Sequence, residues 1–178
     1  MLIGLKGLTK MTDIVERPGF IEKVGVGGTF DRLHRGHRRL LEAAFSAGKR
    51  VVIGLSTDSF VKKLHKPHKV DCYEARLGEL IRFLNDEGCL NRAQVVPLND
   101  RFGIAASDPE LEALVVSEIK ESVAFEINSL RVKAGLKPLK ILTLNMVLAS
   151  DRRPISTTRI RRGIIDKEGM VLKRLKDH

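Results

Sequence analysis

The stretch Lys23–Leu41, KVGVGGTFDRLHRGHRRLL, decides the fold of this chain. It opens with a short apolar run that predicts a strand and continues through glycines into the sequence GTFD. A helix pattern follows, with apolar residues that recur on one face: Leu40, Leu41, Ala44 and Phe45. Gly48 predicts the end of that helix. The order is therefore strand, glycine turn and helix, with His34 and His37 at the start of the helix.

The predicted helix start has the chemistry of a phosphate site. Its backbone N–H groups have no partner within the helix, and the dipole is positive there, which suits an anion. Gly27 and Gly28 remove side chains where a polyphosphate would approach the backbone. A histidine can donate a hydrogen bond to phosphoryl oxygens as charge builds in a transition state. His34 and His37 could instead only cap the helix, but two histidines directly after GTFD favour the phosphate role.

The sequence GTFDRLHRGH resembles the HxGH signature of the nucleotidylyltransferase superfamily, and Ile155–Arg162, ISTTRIRR, resembles its second signature. Both occur in the order that this family has. Members move a nucleotidyl group from a nucleoside triphosphate to a phosphate. The resemblance implies that His37 and His34 are catalytic. It also implies a nucleotide site of ten residues: Gly28, Thr29, Phe30, His34, His37, Asn128, Ser156, Thr157, Thr158 and Arg159.

Apolar runs and helical periods continue in alternation along the chain. Further strands are predicted at 50–55, 94–98, 111–116 and 140–148, and amphipathic helices at 73–84 and from Ser117 to about Gly135. This alternation predicts an α/β fold: a single Rossmann-like, doubly wound domain with a five-stranded parallel sheet. The predicted domain spans 23–169, between an N-terminal extension (1–22) and a charged C-terminal tail (170–178).

A polar segment, residues 56–71, follows the second strand and predicts a loop or a broken helix. It contains six basic or imidazole side chains: Lys62, Lys63, His65, Lys66, His68 and Lys69. Two histidines without a third ligand nearby, separated by Pro67, do not favour a metal site. The lysines could simply form a solvated surface. The family resemblance implies instead that one lysine here binds the acceptor phosphate, with Lys66 and Lys69 as the candidates, Lys66 as a catalytic residue, and Thr29 also touching the acceptor.

Composition limits the class of protein. The formal net charge of +10 fits either a nucleic-acid surface or an enzyme with polyanionic substrates. With one Tyr and no Trp, a stacking platform for single strands is not expected. No apolar run has membrane-spanning length and no signal peptide is evident, so we expect a cytoplasmic protein without a membrane partner. Cys72 and Cys89 are expected to be unpaired.

Within the superfamily, the chain resembles the archaeal and eukaryotic-like type of phosphopantetheine adenylyltransferase. The supporting stretches include KPHKVDCYEAR, DPELEALVVS and PISTTRIRRG. The resemblance implies transfer of AMP from ATP to 4′-phosphopantetheine, giving dephospho-CoA and pyrophosphate in coenzyme A biosynthesis. It implies Mg²⁺ carried with ATP, with no dedicated protein site for the metal. The oligomeric state is left open.

Two alternatives remain at this stage. The first is another branch of the same superfamily: a glycerol-3-phosphate cytidylyltransferase, or an adenylyltransferase for NMN or FMN. The second is a non-catalytic basic module that binds nucleic acid, although the two phosphate motifs lead us to expect no nucleic-acid partner. The sequence has neither GxGxxG with a later ribose acid nor GxxxxGK[ST], which argues against a dinucleotide-binding dehydrogenase and an ordinary P-loop kinase.

Overall fold

The computed structural model describes residues 21–172. Five strands alternate with helices in this order: β1 (Ile21–Gly28), α1 (Arg35–Ala47), β2 (Gly48–Ser56), α2 (Asp58–Lys63), α3 (Tyr73–Asp86), β3 (Ala93–Leu98), β4 (Ala113–Ser117), α4 (Glu121–Lys133), β5 (Lys140–Leu144) and α5 (Thr157–Arg161). Short 3₁₀ turns occupy 90–92, 103–106 and 118–120.

All five strands form one parallel sheet in the order β3-β2-β1-β4-β5. Strand order reverses between β1 and β4, so the loops after these two strands enclose a crevice at the carboxyl edge. The predicted α/β class and five-stranded parallel sheet are confirmed. No helix in residues 21–172 is long and apolar enough to cross a membrane.

Apolar side chains cover both faces of the sheet. On one face, α1 and α3 pack against β-strand residues that include Val24, Val26, Ile53 and Val115. On the other face, α4 packs against Leu114 together with Leu111 from the preceding loop. Because neighbouring strand residues point to opposite faces, the continuous apolar run of β4 supplies both cores at once, with Val115 in the first and Leu114 in the second.

Gly48 ends α1 and also begins β2. Its φ of −131° is extended backbone, so the position does not need glycine for a left-handed conformation. It needs glycine for space, because a Cβ there would lie 2.4 Å from Val24 Cγ2. The predicted end of the helix is confirmed, and β2 starts two residues before the predicted position.

Several predicted bounds are corrected by the structure. β5 stops at Leu144 instead of continuing to 148, because the Met146 N–H donates to the Glu118 carboxylate at 3.0 Å and leaves the ladder. β4 runs from Ala113 to Ser117. Ser117 makes no side-chain cap bond, and α4 begins at Glu121 after a 3₁₀ turn.

The ends of the domain also differ from the prediction. β1 already begins at Ile21, which pairs with Gly48. At the other end, Ile165 and Val171 form an antiparallel bridge, so the domain continues into the predicted tail. The turn they close contacts the start of α1, since Lys167 accepts from the Arg35 N–H at 2.9 Å. Most of the predicted extension and tail lies outside the described residues.

Candidate active site

A cavity of about 420 Å³ opens at the carboxyl edge of the sheet. It is lined by the ends of the five strands, the start of α1, the loop after β2 and the start of α5. The polar side chains on its wall are Thr29, His34, His37, Arg39, Ser56, Lys66, His68, Arg101, Ser117, Lys120, Asn145, Ser156, Thr157 and Thr158. Within the described part of the chain, no Asp or Glu lines this cavity. Cations, imidazoles and hydroxyls without a carboxylate suit a polyanionic ligand.

His34 caps α1 from inside the cavity wall. Its Nδ1 accepts hydrogen bonds from the N–H groups of Gly36, at 3.1 Å, and His37, at 3.4 Å. Because Nδ1 is an acceptor, the ring proton lies on Nε2. Burial, and then the positive charge of Arg38, lowers the pKa of His34 to about 4, so the ring is neutral at pH 7. Capping therefore leaves one N–H for a ligand.

The glycine between the two histidines makes this arrangement possible. A Cβ at Gly36 would lie 3.1 Å from both Nδ1 and Cε1 of the His34 ring. Such contacts are tighter than ordinary van der Waals contacts, so the His34 ring would have to move off its cap. The spacing of the HxGH motif thus has a local packing reason as well as a chemical one.

His37 stacks on His34, with ring centroids 3.7 Å apart and an interplanar angle of 18°. Its other side meets the Phe30 ring edge-on, at 5.3 Å. Burial first, and then the neighbouring His34 and Lys66, hold the pKa of His37 well below its ordinary value. Its buried Nδ1 has no hydrogen-bond partner among the described residues. His37 is therefore a neutral imidazole, fixed by packing on two sides, with hydrogen-bonding capacity left over.

The GTFD turn supports these rings from below. Phe30 has a φ of 49°, a left-handed conformation that bulky residues rarely adopt, and its ring is 1 % exposed. A Cβ at Gly28 would meet that ring at 3.3 Å, so glycine lets the ring sit under the turn. Phe30 lines the cavity wall, but its main contacts are with the site's own residues. Thr29 also lines the cavity.

Asp31 of the same turn is structural. It is 2 % exposed, and the Arg161 guanidinium donates to both carboxylate oxygens, from Nε to Oδ2 at 2.8 Å and from Nη2 to Oδ1 at 2.7 Å. Burial opposes ionisation, but the Arg161 guanidinium and the N–H of Asp71 prevail and keep the pKa of Asp31 below its usual range. The carboxylate thus joins the first motif to α5.

The second motif reaches the cavity with its hydroxyl residues. Ser156 caps α5, and Thr157 Oγ1 donates to the Asp31 carbonyl at 3.0 Å. Thr158 Oγ1 lies 3.2 Å from His68 Nδ1. The structure does not bring Arg159 to the cavity: its side chain is paired with Asp151 and donates to the Arg153 and Pro154 carbonyls, so its contact with the nucleotide stays a prediction.

The polar segment of residues 56–71, called the basic loop below, places one of its two candidate lysines at the cavity. Lys66 lines the cavity, and desolvation, followed by the charge of Lys120, lowers its pKa. Lys69 does not line the cavity, so its contact with the acceptor phosphate stays a prediction without support from the geometry. The two histidines separate in the same way: His68 lines the cavity, whereas His65 is exposed. Within residues 21–172 there is no group of three or more His, Cys, Asp or Glu that could hold a metal.

Asn128 does not belong to the site. Its amide group donates to the Leu139 carbonyl at 2.9 Å and accepts from the Leu139 N–H at 2.7 Å. Both ends of the side chain are therefore used to join α4 to the residue before β5, and the residue does not line the cavity. The structure gives Asn128 a structural contact, and its contact with the nucleotide stays a prediction.

Arg76 supports the site and was not predicted. It is 1 % exposed and donates to three carbonyls, those of Thr29, Ser56 and Asp71, and to the Asp58 carboxylate. It thus ties the GTFD turn to both ends of the basic loop. A signal was present in the sequence, because Arg76 shares the buried face of α3 with Leu80 and Leu84. A charge on an apolar face indicates a buried partner.

Comparison with known proteins agrees with this geometry. Residues 26–163 match the family model described as cytidylyltransferase-like. A phosphopantetheine adenylyltransferase from Methanopyrus kandleri is 49% identical over 82% of this chain and 91% of its own length. The corresponding protein of Methanothermobacter thermautotrophicus is 44% identical, over 86% of this chain and 91% of its own length.

A solved structure supports the fold. A protein of unknown function from Archaeoglobus fulgidus is 25% identical to this chain, with a TM-score of 0.61, covering 75% of this chain and 99% of that one. The family match over residues 26–163 includes both motif segments that line the cavity, Thr29–His37 and Ser156–Arg162, which we call the phosphate-facing segments. The chain belongs to the phosphopantetheine adenylyltransferase family, within the cytidylyltransferase-like proteins.

Proposed function

We propose that this chain transfers AMP from ATP to 4′-phosphopantetheine, forming dephospho-CoA and releasing pyrophosphate. The observation that carries the proposal is the cavity itself. It combines two neutral histidines, lysines and hydroxyls with no carboxylate among its described lining residues, in a chain of this family.

The reaction is an in-line displacement. A phosphate oxygen of the acceptor forms a bond to the α-phosphorus of ATP, while the bond from that phosphorus to the bridging oxygen of the β-phosphate breaks. The nucleophile is already an anion, so no protein base has to remove a proton. Positioning and stabilisation of charge then account for catalysis.

In this proposal His37 donates a hydrogen bond to the α-phosphate in the transition state. Its neutral ring is held between His34 and Phe30, so little reorganisation accompanies the reaction. His34 uses its Nε2–H on the same polyphosphate, since its Nδ1 is occupied by the helix cap.

The remaining roles follow from which residues reach the cavity. Thr29 contacts the acceptor or the α-phosphate, and Lys66 binds the acceptor phosphate. Ser156 and Thr158 face the departing pyrophosphate, whereas the Thr157 hydroxyl is already bonded to the Asp31 carbonyl. Mg²⁺ enters with ATP as part of the substrate, because the wall offers it no carboxylate.

A pyrophosphate-release assay with purified protein and Mg²⁺ tests the proposal. ATP with 4′-phosphopantetheine should give the highest kcat/KM. The panel also contains CTP with glycerol 3-phosphate, and ATP with NMN or FMN. A higher kcat/KM for any of these pairs would show that 4′-phosphopantetheine is not the preferred acceptor. Salt-sensitive binding of nucleic acid without pyrophosphate release would contradict the proposed enzyme activity and favour the non-catalytic module that binds nucleic acid.

A further inference from the structure

The ring of His68 touches both phosphate-facing segments. Its Nδ1 lies 3.2 Å from Thr158 Oγ1 at the start of α5. Its Nε2 lies 3.8 Å from Asp31 Oδ2 in the GTFD turn, beyond hydrogen-bond distance, and has no hydrogen-bond partner among the described residues. The side chain is 10% exposed. One imidazole from the loop after α2 is therefore packed between two segments that are more than a hundred residues apart in sequence, bonded to one and next to a buried carboxylate of the other.

The loop that carries His68 has few other attachments. Leu64 and His65 still donate to carbonyls of the last turn of α2, and the Asp71 N–H is held by Asp31 at 3.1 Å. Between these points, no backbone–backbone hydrogen bond involves residues 66–70 in the described part of the chain. The position of Lys66, two residues before His68, thus depends on side-chain contacts.

Both Asp31 and Thr158 are suitable attachment points. Asp31 is buried and fixed by Arg161, so it does not move with the loop. Thr158 lies within the first turn of α5, which is itself bonded to the GTFD turn through Thr157. Because these two residues are fixed, an imidazole packed against them is fixed as well. It therefore restrains the position of the loop that carries it.

We propose that His68 is a positioning residue, whose imidazole anchors the loop of residues 64–70 across both phosphate-facing segments and so holds Lys66 in the cavity. The inference rests on the proposed function of the site. It assigns His68 a role through Lys66, with no contact to the reacting atoms required.

The consequence is a specific kinetic pattern. Removing the imidazole should release Lys66 and raise KM for the acceptor about tenfold, the loss expected for one charge-assisted contact. KM for ATP and kcat should change less, because His34 and His37 are held by α1 and not by the loop. Lys66→Ala should give the same pattern as His68→Ala.

A double-mutant cycle tests whether the two residues act together. Steady-state constants are measured for His68→Ala, Lys66→Ala and the double variant, each with a melting curve. If His68 acts through Lys66, the double variant should be no worse than either single variant. Fully additive effects on acceptor KM, or a His68→Ala protein that matches the wild type, would overturn the proposal.

A control variant stays within the same loop. His65→Asn removes the exposed histidine, which does not line the cavity, and keeps a residue that tolerates its φ of 44°. It should keep acceptor KM near the wild-type value. If it matches His68→Ala, the loop responds to any change in it and His68 has no special position.

A second measurement does not depend on turnover. Hydrogen exchange of the ligand-free protein should show faster exchange at the hydrogen-bonded amides that flank the loop, those of Leu64, His65 and Asp71, in His68→Ala than in His65→Asn or the wild type. If the wild type fails to use 4′-phosphopantetheine, the proposed function is wrong, and the exchange experiment still tests the anchor. Unchanged exchange in His68→Ala would show that His68 does not anchor the loop.

Discussion

The two phosphate-facing segments of this chain differ in how directly their motifs predict their geometry. In the first, Thr29–His37, all of the predicted site residues line the cavity. In the second, Ser156–Arg162, the hydroxyl residues line it but the predicted arginine does not. Arg159 is paired with Asp151, whereas Arg161 holds Asp31. A motif can thus identify the segment correctly without identifying which of its charged side chains faces the site.

The geometry of α5 explains the difference. Two residues along an α-helix turn by about 200°, so Arg159 and Arg161 project from nearly opposite sides. Which one faces the GTFD turn depends on the location of two carboxylates. Asp151 is near in sequence, but Asp31 is 130 residues away from Arg161. Only the folded chain brings that second partner into reach.

The largest expected effect separates these two arginines. Arg161→Met removes the partner of a carboxylate that is 2% exposed, so the free energy of unfolding should fall by about 3–5 kcal/mol. Arg159→Met should have a much smaller effect, because its partner is at the surface. Urea unfolding of the two variants, followed by far-UV circular dichroism, measures the difference. Equal losses of stability would contradict the assignment of Arg161 as the link between the segments.

The next effect concerns the first segment and its proposed transition-state donor. His37→Ala should lower kcat by about 10² to 10³, equivalent to roughly 3–4 kcal/mol, while ATP binding weakens less. Single-turnover rates with a melting curve separate lost chemistry from lost folding. His34→Asn is the matched comparison: Asn keeps a side-chain acceptor at the helix cap but lacks the Nε2–H, so ATP binding should weaken more than kcat falls. A folded His37→Ala protein with near-normal chemistry would exclude the proposed donor.

The sequence predicted the location of side chains correctly where that location depends on local spacing. The strand, the glycine turn and the helix start lie within one short stretch, so the positions of His34 and His37 follow from it. For the same reason, the lysine that binds the acceptor phosphate could be narrowed to two candidates, Lys66 and Lys69. The structural contact of Asn128 could not be predicted, because its partner, the Leu139 backbone, belongs to the loop before β5. His68 was considered only with His65, although folding buries one and exposes the other.

The histidines also give the first segment a pH dependence that the second lacks. The pKa of His34 is about 4 in the folded protein and near 6.5 when unfolded, so the unfolded chain takes up its proton first. The contribution to stability is therefore complete above pH 6.5 and is lost as the pH falls towards 4. Between pH 7 and pH 5 the loss should be about 2 kcal/mol.

Urea unfolding at several pH values tests this pH dependence. His37 adds to the loss in the same direction, because its pKa is also held below the ordinary value. His34→Asn should therefore reduce the acid sensitivity without removing it. If the variant and the wild type lose stability equally between pH 7 and pH 5, the burial of a neutral His34 is not the cause.

The smallest expected effect tests the direct bond between the two segments. Thr157→Val keeps the shape of the side chain but removes the hydroxyl that donates to the Asp31 carbonyl at 3.0 Å. Loss of this one bond should cost about 1 kcal/mol and lower Tm by about 2–4 °C. Thr157→Ser retains the hydroxyl and should restore most of the stability. Because the hydroxyl is already engaged, kcat should stay within about twofold of the wild type. If kcat instead falls tenfold while Tm is unchanged, the hydroxyl turns to the phosphate during the reaction, and the second segment is more like the first than its resting contacts indicate.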